Sequence, residues 1–187
     1  MTSDDVYQPS AFIERPGEGT DTMISAFTMF LQDNIEVLRL TGTADIKGRG
    51  NSLDNIIFGN AGANLLYVGG LESDDGGSDT VTGGAGADLF QFVGLAKVQH
   101  ITDMTPGVDE ISLLSYVFGA LPVGQLAADA FKNLATGTVD ASDQILFRPG
   151  TGEVFWDPDG SGTEAATLLV VLDNHAIVTA SDFLVIS

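Results

Sequence analysis

Cysteine is absent from the 187 residues, which excludes a disulfide framework and any thiolate zinc site. Basic residues are scarce, 7 against 26 acidic, and the net charge of −19 argues against nucleic acid, anionic membrane surfaces and other polyanions as partners. Arg39, Lys47 and Arg49 are close in sequence, and there that argument is weakest. The histidines, His100 and His175, are too few and too isolated for an HExxH zinc site, and there is no GxSxG elbow and no glycine loop followed by lysine to cradle phosphate. No catalytic set is therefore assigned, and the chain reads as a non-enzymatic unit. No apolar run reaches the length of a membrane span. The amino terminus also lacks a basic segment followed by an apolar one, so the reading has no cleavable signal peptide.

Apolar residues, by contrast, make up 44% of the chain, whereas disordered chains combine charge with few apolar residues. Such a chain should fold once its self-repulsion is relieved, and bound cations would relieve it. Glycine is abundant and periodic. Residues 83–91 read GGAGADLFQ, with glycines at the first, second and fourth places, an acid at the sixth and a large apolar residue at the eighth. Glycine permits positive φ and brings backbone carbonyls close to an ion, aspartate supplies the hard oxygen calcium prefers, and the apolar residue starts a strand with its side chain inward.

The frame repeats. Residues 59–67, GNAGANLLY, keep Gly59, Gly62, Asn64 and Leu66, and Asn55 with Ile57 lies nine residues earlier. Asp79 is fifteen residues beyond Asn64 and nine before Asp88, which is the same period after a six-residue insertion. Glu72, Asp74 and Asp75 make that insertion read as a solvated acidic bulge. A half repeat, GEGTDTMI, puts Asp21 in the acid place, and Asp5 with Tyr7 has the same spacing. The chain thus reads as beginning inside a repeat, as a piece of a longer protein would.

GGAGADLFQ and its neighbours resemble the nonapeptide GGxGxDxUx of the RTX family. GEGTDTMISAF and NIEVLRLTGTADIKGRGNSLDNIIFGN are similar to the family's spacer repeats, so the resemblance covers roughly the first half of the chain. It implies an all-β (mostly) fold: a calcium-binding parallel β-roll or β-solenoid followed by a β-rich C-terminal cap with one short helix. The implied divisions are spacer repeats over 1–47, the calcium-binding roll over 48–93 and a capping region over 94–187. In the family, turns on one side of the roll sandwich each ion and successive nonapeptides alternate sides. Carried over, the acid place falls on Asn55, Asn64, Asp79 and Asp88, and the carbonyl-donating turns on Gly59, Gly62, Gly69, Gly77, Gly83, Gly84 and Gly86. Alternation pairs Asn55 with Asp79 and Asn64 with Asp88. The amide oxygens of Asn55 and Asn64 are neutral, so the turns before Gly69 are expected to be structural with partial metal occupancy at best, and the tightest site is expected at Asp88.

Beyond the repeats, VQHITDMTPGVDEISL carries two short strands around a Pro-Gly turn, within which Asp103 and Asp109 could contribute to another site in the cap but read rather as solvated. Gln125 to Leu134 reads as a helix, with Leu126, Ala130, Phe131 and Leu134 on one face. Ile145 to Phe147 and Val154 to Trp156 flank RPGTGE as a hairpin, with strands at Thr167 to Leu172 and Phe183 to Ile186. ITDMTPGVDEI, ILFRPGTGEVFWDPDGSG and SDFLVI resemble the family's array-closing region. Asp157 and Asp159 in DPDGSG could ligate a metal, although Leu168 stands where an EF-hand loop closes with glutamate; a solvated turn is the alternative. ASDFLVIS resembles an uncleaved type I secretion signal and also suits a final packed strand. The implied partners are calcium, a type I secretion apparatus during export and an extracellular polysaccharide, and the implied location is outside the cell or on its surface. The functions implied are calcium-dependent folding of the C-terminal part of a larger secreted protein; alternatively, a calcium-dependent polysaccharide-binding or adhesion module; or, less favoured, the tail of a protease or lipase.

Overall fold

The computed structural model describes residues 6–7, 15–17, 19–69, 77–95, 97–119 and 121–187. The acidic insertion and Asp5 lie outside the described residues. The first eleven strands are β1 (Val6–Tyr7), β2 (Thr22–Ser25), β3 (Met29–Phe30), β4 (Val37–Leu40), β5 (Lys47–Arg49), β6 (Ile56–Phe58), β7 (Leu65–Val68), β8 (Thr80–Thr82), β9 (Leu89–Phe92), β10 (Gln99–Ile101) and β11 (Glu110–Leu114). From β2 to β11 they alternate strictly between two sheets. Even-numbered strands build one sheet, odd-numbered strands the other, and all neighbours among them are parallel.

The strands are two to five residues long because glycine-rich or polar turns interrupt them at short intervals. Within each strand the period of two sends alternate side chains between the sheets. Met23, Leu38, Ile57, Val81 and Ile101 stack in register from one sheet, and Leu66, Phe90 and Ile111 from the other. All eight are 2% exposed or less. In β5 the inward place is Gly48, and Leu38, Leu40 and Leu66 fill the space: their methyls would lie 3.1 to 3.3 Å from a Cβ there.

The remaining strands are β12 (Gly124–Gln125), β13 (Phe131–Asn133), β14 (Ile145–Arg148), β15 (Glu153–Trp156), β16 (Thr167–Leu172) and β17 (Phe183–Ile186). They close both sheets. β16 pairs in parallel with β10, β15 and β14 follow antiparallel, and β17 lies parallel to β11 with β12 beyond it. The expected hairpin and the strands at 167–172 and 183–186 are therefore present. This pairing covers the edges that β10 and β11 would otherwise expose, and leaves β13 and β12 as the end strands on the cap side.

The helix expected over Gln125 to Leu134 is not formed. Gln125 belongs to β12, Ala128–Ala130 is a single 3-10 turn and Phe131–Asn133 is β13, parallel to β14. The reason is edge pairing. Leu126 N–H donates to Phe183 O and Leu134 N–H to Phe147 O, so neighbouring strands take the amides that a helix would have used, and tertiary context overrides a weak local preference. Among the described residues helical structure is confined to two 3-10 turns, the second at Ala180–Asp182, and no helix is long and apolar enough to cross a membrane.

Candidate metal centre

Two ladders of buried polar side chains run along the turns, one on each side of the stacked coils. On the first, Asn51 N–H donates to Asn55 Oδ1 (2.7 Å), Asn55 N–H to Asp79 Oδ1 (3.0 Å) and Asp79 N–H to Gln99 Oε1 (2.9 Å). On the second, Asn60 N–H donates to Asn64 Oδ1 (2.7 Å), Asn64 N–H to Asp88 Oδ1 (2.8 Å) and Asp88 N–H to Asp109 Oδ1 (2.9 Å). Gly107 N–H continues it to Asp182 Oδ1 (2.7 Å). The pairs formed by alternation, Asn55 with Asp79 and Asn64 with Asp88, are thus brought together.

A buried turn amide needs an acceptor, and a side chain supplies it: that of the following coil for Asn55, Asp79, Asn64 and Asp88, and that of the same turn for Asn51 and Asn60. Asparagine and aspartate meet this need with different residues of charge. Asn55 Nδ2 donates to Ile35 O (2.9 Å), and Asn64 Nδ2 to Asn60 Oδ1 (3.0 Å). The asparagine turns are therefore satisfied by protein atoms alone. A carboxylate has no such donor. Asp88 is 2% exposed, and its Oδ2 is enclosed without any hydrogen-bond partner. Burial pushes its carboxyl up to about 6, with neighbouring Asp109 and Asp103 adding to the rise. Asp79 is pushed up to about 7, again chiefly by burial, opposed by the amides of Asn55 and Gly69.

The glycines mark where carbonyls press in. A Cβ on Gly59 would lie 2.0 Å from Gly83 O and 2.6 Å from Asn64 Oδ1, and one on Gly83 would lie 2.5 Å from Asp88 Oδ2. One on Gly77 would lie 1.8 Å from Leu53 O, on Gly84 2.4 Å from Asn60 O, on Gly86 2.5 Å from Gly62 O and on Gly62 2.6 Å from Ala44 O. Turn 59–64 therefore stacks under turn 83–88 with only hydrogen-sized space between backbones. Among the described residues no three histidine, cysteine, aspartate or glutamate side chains converge to hold a metal ion. A cation here would be held by one orphaned carboxylate oxygen and crowded backbone and amide oxygens, a hard-oxygen set of the kind calcium accepts.

Asp109 is not solvated as expected, and Asp103, partly exposed, is engaged by backbone amides. Asp103 accepts both Gly83 N–H and Gly84 N–H at 2.8 Å, and Asp109, 4% exposed, also accepts Thr105 N–H at 2.8 Å. Gln99, Asp109 and Asp182 were missed as ladder members. For two of them the signal was present: Gln99 and Asp109 stand two places before the inward Ile101 and Ile111, as Asp79 and Asp88 stand before Val81 and Phe90. At the second cluster, Asp157 is buried and Asp159 partly so, and each leaves Oδ1 enclosed and unpartnered.

The raised carboxyls set the pH response of the metal-free chain. Their folded values lie above the ordinary 3.8, so protonation favours the folded state. That stabilisation is complete below about 3.8 and is lost as pH rises through about 6 and about 7. In chelator, the β signal in circular dichroism should therefore grow as pH falls through this window, with a shallower rise in a chain carrying Asp79→Asn and Asp88→Asn. A signal that falls, or identical slopes in the two chains, would contradict the assignment.

No protein-family model matches the chain, and the comparison with curated proteins gave no match.

Proposed function

We propose that the chain is a calcium-dependent folding module, a parallel β-roll of the RTX type with a C-terminal cap, belonging to the C-terminal part of a larger secreted protein. The observation that carries this reading is Asp88 Oδ2, a buried carboxylate oxygen without a partner, placed beside Gly83 in the one full GGxGxDxUx repeat. Two strictly alternating parallel sheets and the cap over their edges support it. When bound, calcium would supply the positive charge that the carboxylate turns lack. The residues that would hold it are Asp88, the Gly59 and Gly83 turns and Asn64. Asp79 with the Gly77 turn offers a weaker place, because amides already engage its carboxylate.

Folding and ion binding then form one equilibrium. In a cytosol poor in calcium the chain stays largely unfolded, which suits passage through a type I exporter. Outside, where calcium is on the order of millimolar, it folds. In chelator at neutral pH, circular dichroism should report a mostly disordered chain that gains β signal as calcium is added. A fully folded spectrum in chelator that calcium does not change sinks the switch.

One observation favours a second reading, glycan binding. Arg49 lies over the Phe30 ring at 4.6 Å, Phe30 meets Tyr67 edge-on at 6.0 Å, and Phe30 is 42% exposed. An exposed aromatic ring offers a sugar apolar contact area, and an adjoining arginine offers it hydrogen-bond donors. This reading ranks second because the charge of −19 repels an acidic polymer.

A further inference from the structure

The geometry points to a second cation site in the cap, formed by Asp157 and Asp159 and independent of the repeat turns. Asp157 follows β15, and its N–H donates to Gln144 O (2.8 Å), which holds the residue against the cap while its side chain is 5% exposed. Its Oδ1 is enclosed and has no hydrogen-bond partner; Asp159 Oδ1 is in the same condition. Asp159 is fixed by its other oxygen, which accepts Thr163 N–H (2.8 Å) and Glu164 N–H (3.1 Å). The two carboxylates adjoin within hydrogen-bonding reach.

The turn is built tightly around them. Gly160 has φ +59°, and a Cβ there would lie 2.4 Å from Asp140 O, while one on Gly162 would lie 1.9 Å from Asp159 Oδ2. A solvated turn would leave these oxygens open to water, and they are closed to it. An EF-hand is excluded as well, because Leu168, at the closing position, lies in β16. Two adjoining enclosed carboxylates need either a proton or a cation between them. A shared proton neutralises one charge of the pair and leaves the other enclosed. A divalent cation neutralises both, and an all-oxygen donor set selects the calcium class over thiolate- or imidazole-seeking metals.

Trp156, the single tryptophan, precedes Asp157 and is 6% exposed against Phe118, with ring centroids 5.2 Å apart. It provides a local reporter. Terbium, a calcium surrogate, is titrated into the chelator-stripped full chain with excitation where tryptophan absorbs and tyrosine does not. Sensitised emission is expected in the wild-type chain, displaceable by calcium, retained in Asp88→Asn, which keeps the acceptor for Asn64 N–H, and reduced roughly tenfold or more in Asp159→Asn. The Asp159 variant keeps an oxygen for the Thr163 and Glu164 amides, and the wavelength of tryptophan's own emission checks that the cap stays packed in each variant. If it does not in Asp159→Asn, Asp157→Asn takes its place. If both expose Trp156, emission that Trp156→Phe abolishes and Asp88→Asn retains still places the ion in the cap. No sensitised emission from the wild-type chain, or equal emission from a packed Asp159→Asn chain, overturns the site and leaves the Asp88 reading untouched. Emission lost in a packed Asp88→Asn chain alone places the ion in the repeats and overturns the cap site.

Discussion

Replacing Asp88 with alanine should raise the calcium needed for half-folding by roughly ten- to a hundredfold. The estimate follows from the loss of one charged partner, about 1.5–3 kcal/mol, at about 1.4 kcal/mol per factor of ten. Asn55→Ala and Asn64→Ala should shift the midpoint less, because the amide groups of both asparagines are already engaged by protein acceptors. Asp88→Asn gives the sharper result, since its effect has opposite signs in the two conditions. In chelator it should increase the folded fraction, because it keeps an acceptor for Asn64 N–H and removes a charge whose burial raises its carboxyl to about 6. With calcium present it should weaken the response, since the anionic oxygen is gone. Chelator and calcium titrations followed by circular dichroism measure both. Equal shifts for Asp88→Ala and Asn64→Ala would show that Oδ2 has no special part.

The parts of the fold that depend on local spacing were legible in the sequence. The nine-residue frame placed Ile57, Leu66, Val81 and Phe90 on inward positions, and all four are fully buried. The alternation of sides that the family resemblance implied anticipated which turns meet, because a coil that alternates between two sheets returns to the same side after two repeats. The cap was less legible. There the frame dissolves, and strand order depends on which edges remain open: β16 crosses to β10, and β17 to β11. Those are long-range pairings that no local pattern encodes. Gln125 to Leu134 failed for this reason, its helical spacing outweighed by the amide acceptors at Phe183 and Phe147. Asp182 failed differently. An acid in a terminal segment reads as solvated until the backbone donors Gly107 and Thr179 are brought to it.

Gly59→Ala should be among the most damaging single methyl groups in the repeats, costing about 3 kcal/mol or more. The added Cβ would stand 2.0 Å from Gly83 O and 2.6 Å from Asn64 Oδ1. Neither atom can yield cheaply. Gly83 O belongs to backbone stacked on the next coil, and Asn64 Oδ1 accepts Asn60 N–H, so relief means separating turns whose ladder bonds and carbonyl cradle depend on contact. Overpacking that side-chain rotation cannot relieve falls in the severe class of substitutions. Gly150→Ala is the matched control: it lies in the exposed turn between β14 and β15, and a Cβ there meets nothing within 4 Å. Denaturant unfolding in saturating calcium should therefore place Gly150→Ala near the wild-type chain and Gly59→Ala far below it. The calcium midpoint should rise in Gly59→Ala as well, since the same carbonyls would face the ion. Loss of stability with an unchanged calcium midpoint would separate the stacking role of Gly59 from ion binding, and would move the proposed site away from the Gly59–Gly83 contact.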